Sequence, residues 1–192
     1  MKMYRHFLWF GVLCLLLTGC GRPEVYNMCT PSYASLPLQR GSDVPFQKLI
    51  WQQQGGFSNT PTITVLHSIN ELNVFIRDVL NVNKPLPNGD LRIPVIDTLR
   101  QIDYTQSVAV VAALGITPYG FRLDIQRVDR DNRVLRLQAK VLDCPDPHGA
   151  PVTAPSLPIE IISIDRANLP AAPFELELIS NQRVIVTQSV TL

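Results

Sequence analysis

A chain of 192 residues with 46% hydrophobic and only 17% charged residues is long enough for one domain of ordinary size and too apolar to stay disordered. Sixteen prolines against ten glycines point to many loop boundaries and few long helices. The formal charge is only +1 and the basic residues are scattered among acidic ones, which excludes nucleic acid as a main partner, since phosphate binding needs clustered Lys and Arg.

The chain opens with Lys2 and Arg5, an apolar run over 7–17, and the small residues Thr18 and Gly19 ahead of Cys20. A basic start, a short apolar core and a small-residue end describe a secretory signal over 1–19. The apolar run is shorter than the ~20 residues a spanning helix needs. Leu17-Thr18-Gly19-Cys20 resembles the lipobox of bacterial lipoproteins, which implies cleavage between Gly19 and Cys20 and lipid on the Cys20 sulfur. Acyl chains, at about 0.8 kcal/mol per buried methylene, would hold the protein on a lipid bilayer. The expected address is the bacterial cell envelope, outside the cytoplasm. Two of the 17 basic residues leave with the signal, and none of the 16 acidic ones precedes Glu24, so the mature formal charge becomes about −1.

Cys14 lies in the signal and Cys20 takes lipid, which leaves Cys29 and Cys144. Outside the cytoplasm a disulfide between these two is permitted and would contribute about 4–5 kcal/mol in the chain-entropy account; two separate thiols are the alternative. Residues 20–45 carry Pro23, Pro31, Pro37 and Pro45 with no sustained period, and read as a flexible tether. A single domain is expected over 46–192.

Residues 46–53 read as a strand stopped by Gly55-Gly56, and 62–66 as a second, β-branched one. Ser68-Ile69-Asn70-Glu71 has the form of a capping box, in which Glu71 reaches back to the Ser68 amide. Ile69, Leu72, Phe75, Ile76, Val79 and Leu80 then share one helical stripe, read as the face that covers a sheet, and Asn83-Lys84-Pro85 supplies the stop. Ile96, Leu99 and Ile102 fit one helical turn or two. The chain is organised around 103–128. There 108–114 is a continuous apolar strand covered on both faces, 115–120 is a Gly/Pro reversal, and Phe121, Leu123 and Ile125 alternate with polar residues in a second strand of the pair. A polar hairpin turn at 129–132, an alternating strand over 133–142, an isoleucine-rich strand over 158–165 and a last hairpin from Phe174 complete the chain. Strands joined by short turns pair antiparallel by default. The expected class is α+β: one amphipathic helix packed on a twisted, mainly antiparallel sheet, with an added C-terminal hairpin.

Asp103-Tyr104, the apolar strand ending at Gly115, Pro118, Gly120 and Phe121 in the turn, and Thr153, Pro155 and Pro158 before the isoleucine-rich strand form an ordered set. With the helix that carries Ser68 and Glu71-Leu72, this order resembles the PrcB C-terminal domain family of bacterial envelope proteins over about 68–166. Tyr119 stands where that family usually has a glycine, and the hairpin from Phe174 lies outside the resemblance. What the resemblance implies is a non-catalytic module, either protease-associated or a general interaction module, without implying that this chain itself binds a protease.

No Gly-x-Ser-x-Gly, His-Glu-x-x-His, phosphate loop or dinucleotide fingerprint occurs. His67 reads as a turn or core histidine. Asp143, Cys144, Asp146 and His148 crowd together without the spacing of a zinc site, so neither metal nor cofactor is expected. Tyr119, in the turn Pro118-Tyr119-Gly120, reads as a contact aromatic or as a lid over the sheet. The expected function is that of a membrane-anchored, non-enzymatic lipoprotein binding another envelope protein, in one version a protease. A small-molecule or glycan carrier and a hydrolase with a dispersed active site are the alternatives.

Overall fold

The computed structural model describes residues 30–31, 41–54, 58–80, 92–117, 120–143 and 157–192. These form the strands β1 (Thr30–Pro31), β2 (Ser42–Asp43), β3 (Gln47–Gln54), β4 (Thr62–Leu66), β5 (Ser107–Ala113), β6 (Phe121–Asp131), β7 (Val134–Asp143), β8 (Pro158–Asp165), β9 (Phe174–Ser180) and β10 (Arg183–Val190). Between β4 and β5 lie α1 (Ile69–Phe75), continued by a π turn over Ile76–Leu80, and α2 (Arg92–Arg100). The fold is α+β, with β9 and β10 as its C-terminal hairpin.

The strands divide between two sheets, one in the order β3-β8-β5-β4 and one in the order β10-β9-β7-β6-β2, with β1 on the end of β7. Described neighbours are antiparallel apart from β7 and β9, which run parallel over Val134–Ala139. Between those two strands the chain crosses to β8 in the other sheet, and that detour allows them the same direction.

Alternation along β5 sets the layering. Val108, Val110 and Ala112 enter a core shared with Leu123, Ile125, Leu135, Leu137, Leu176 and Leu178 of the second sheet. Ala109, Val111 and Ala113 point the other way, under Leu72, Phe75, Val95, Ile96 and Leu99 of the helices. β5 is thus covered on both faces, and its small side chains let the helices sit close.

The expected pairing of the two strands in 103–128 is corrected: β5 pairs with β4 and β8, whereas β6 pairs with β7 in the other sheet. A strand apolar on both faces takes the middle of its own sheet and leaves no edge for its successor. Gly115 (φ 76°) and Gly120 (φ 90°) carry the chain from one sheet to the other. A Cβ at Gly115 would lie 2.6 Å from the carbonyl carbon of Thr60, so only glycine fits there.

The polar turn at 129–132 is also corrected. β6 continues to Asp131, and Asn132 in the left-handed region (φ 51°) makes the turn into β7. A register shift between Ile125 and Arg127 swaps faces, so that Val128 enters the core while Asp129 is buried on the outer face. There Asp129 accepts from the Gln138 amide and lies 3.5 Å from Arg136, which also bonds Glu177 at 3.1 Å.

A second helix, α2, replaces the turn or two read around Ile96. Pro94 falls in its first turn, where no amide is needed, and Val95, Ile96 and Leu99 are buried. Within the stretch read as a tether, β1 pairs with β7, β2 pairs with β6, and Val44 enters the core between the sheets.

Candidate functional site

β4 is short, β-branched and uncharged, TITVL, and it sits at the edge of its sheet. Its register with β5 is regular from Thr62↔Ala113 to Leu66↔Ala109, and no described strand pairs with its other side. Ile63 and Val65 face the sheet–sheet core, while Leu66 packs under the helices.

Beside this edge runs α1. Ser68 caps it in extended backbone, its Oγ accepting from the Glu71 amide at 3.2 Å. The Glu71 carboxylate does not return to the Ser68 amide as expected. It takes the His67 amide at 2.7 Å and lies 2.7 Å from His67 Nδ1, because the imidazole offers a second donor one residue further back. Arg166 fixes the same corner, donating to the His67 carbonyl at 2.6 Å and to the Tyr104 carbonyl at 3.0 Å. The Tyr104 hydroxyl donates to the Leu99 carbonyl, and burial followed by the nearby Glu71 charge pushes its pKa up to about 12. His67 and Tyr104 therefore hold helix ends in place.

The expected apolar stripe divides at the π turn. At 3.6 residues per turn, five positions would carry Leu80 about 140° from Phe75; the wider π turn brings both into the core, with Leu72. Ile69 and Val79 of the stripe are left at 51% and 38% exposure and do not cover the sheet as expected, and Val74, outside the stripe, is 48% exposed. Val74 and Val79 line a groove of about 340 Å³ whose other wall is the β4 edge at Thr64 and Leu66, with Phe75 as floor. The spacing of five from Phe75 to Leu80, which one face of an α-helix does not keep, was the signal available in the sequence.

The opposite edge of this sheet is built differently. Glu160, fully buried on β8, accepts from the Ile125 amide at 2.6 Å, and Lys48 on β3 reaches both Glu160 (3.0 Å) and Asp124 (2.5 Å). Burial pushes the Glu160 carboxyl up to about 7, against the opposing pull of Lys48 and the Ile125 amide, while Asp124 adds to the rise. With no exposure, Glu160 has no route to a substrate and serves to tie β8 to β6. Its signal in the sequence is a carboxylate set among the isoleucines of PIEIISID, five positions before Asp165 ends the strand.

Of the residues singled out in the sequence, Gly19, Cys20, Cys29, Cys144, Pro118 and Tyr119 lie outside the described residues. Gly120 is described, buried at the entry to β6. Among the described residues no cluster of three metal-ligating side chains occurs, and no helix is long and apolar enough to cross a membrane. Comparison of the chain with protein-family models, curated proteins and solved structures finds no match.

Proposed function

We propose that this protein is a membrane-anchored, non-enzymatic module of the bacterial envelope that binds an extended segment of another envelope protein. The observation that carries the reading is the regular, uncharged β4 edge with the Val74–Val79 groove along it. A peptide laid on such an edge completes the main-chain hydrogen bonds of β4 and sets alternate side chains into the groove. The lipobox at Leu17-Thr18-Gly19-Cys20 supports attachment to a bilayer through Cys20. The resemblance to the PrcB C-terminal domain family points to a protease complex as the place where that partner is found.

The test is mild crosslinking of the full-length protein in its native envelope, followed by pull-down and mass spectrometry. Wild type is compared with Val74→Glu, which puts a charge in the groove at an exposed position, and with Cys20→Ala. One stoichiometric partner that is lost in Val74→Glu is the expected result. A partner retained at full yield by Val74→Glu contradicts the assignment of the groove.

A further inference from the structure

A second cleft, of about 320 Å³, opens at the end of the sandwich where β9 turns into β10. Leu114, Phe121 and Ile185 give it apolar walls, and Ser180 and Arg183 add polar groups. The turn between these two is tight, with Asn181 (φ 50°) and Gln182 (φ 61°) both left-handed. Its register sets Arg183 directly opposite Ser180. Opposed residues of an antiparallel pair project from the same face, so both side chains can reach one ligand.

Ser180 is 5% exposed, and its buried Oγ has no hydrogen-bond partner among the described residues. An unpaired buried hydroxyl is a standing cost that folding does not explain. Arg183, exposed at the first position of β10, takes part in no ion pair among the described residues. An apolar cleft with a few convergent polar groups has the chemistry of a ligand pocket.

We propose that this cleft binds a small apolar group ending in a carboxylate. The alkyl part lies against Leu114, Phe121 and Ile185, and the carboxylate accepts hydrogen bonds from the Arg183 guanidinium and, once the Ser180 side chain turns to bring out its buried Oγ, from Ser180. A free acyl carboxylate and the C-terminus of a peptide share this chemistry. The site is separate from the β4 groove and does not depend on it.

The experiment is calorimetric titration of the full chain in nanodiscs with octanoate, with N-acetyl-Ala-Leu bearing a free carboxylate, and with octanol. Wild type is compared with Ser180→Ala and with Arg183→Gln, the latter an exposed change that leaves the fold intact. Saturable 1:1 binding of octanoate or of the peptide, weakened at least tenfold by Arg183→Gln and absent for octanol, is expected. Which of the two carboxylates binds identifies the source. No saturable binding of either, or binding unmoved by Arg183→Gln, overturns the proposal.

Discussion

The two edges of the four-stranded sheet are built to opposite ends. The β3 edge is irregular, with register breaks between Lys48 and Ile50 and between Ile50 and Gln53, and it carries a lysine anchored on two carboxylates. Bulges and lysines are common means of stopping a sheet edge from pairing with another chain. The β4 edge lacks both. Its register is unbroken, its five residues are uncharged, and a groove with exposed valines runs beside it. The fold thus closes one edge of the sheet, while among the described residues no strand pairs with the outer side of β4, although β10 packs near it.

The largest expected effect tests what lies beneath the open edge. Phe75→Ala removes the buried floor of the groove and should cost about 3–5 kcal/mol in urea denaturation. Val74→Ala, one position round the same helix and half exposed, should change stability by less than about 0.5 kcal/mol. Equal costs would mean that the groove is core and not a surface.

The closed edge should betray itself through pH. Glu160 titrates at about 7 when folded against an ordinary 4.5, so the folded state binds more protons than the unfolded one between these values. The contribution is fully present below about pH 4.5 and is lost as pH rises through 7, a fall of about 3 kcal/mol at most. Comparing denaturation of wild type and Glu160→Gln from pH 4.5 to 8 isolates it, because the glutamine variant should lack this component. Identical pH profiles for the two proteins would remove Glu160 from the account.

A smaller effect concerns the start of α1, which sets one wall of the open groove. Ser68→Ala should cost about 1 kcal/mol through loss of the cap on the Glu71 amide, read from the denaturation midpoint at constant slope. Thr64→Lys, which copies onto β4 the lysine that guards β3, should shift stability by less than about 0.5 kcal/mol and abolish partner capture.

How much of this was legible in the sequence depends on how local each cause was. β5 could be read because 108–114 is apolar at every position, and the hairpin of β9 and β10 because its turn is local. The division into two sheets was not legible, since β5 and β6 are neighbours in the chain and the glycines between them permit either a hairpin or a crossing. The parallel pairing of β7 with β9 depends on an excursion through β8 that no local pattern announces. The candidate groove was half legible. The stripe on 69–80 identified the helix, but only the π turn decides that Leu80 goes in beside Phe75 while Val79 stays out. Glu160 could be flagged as a carboxylate among isoleucines inside β8, whereas its partners Lys48 and Ile125 come from distant segments.

The most direct test places a photoreactive residue at Thr64 on β4 and, separately, at Gln47 on β3, in the full-length protein in its native envelope. One discrete crosslinked partner is expected from Thr64 and none from Gln47. The same partner at equal yield from both edges, or from Gln47 alone, would contradict the claim that β4 is the docking edge.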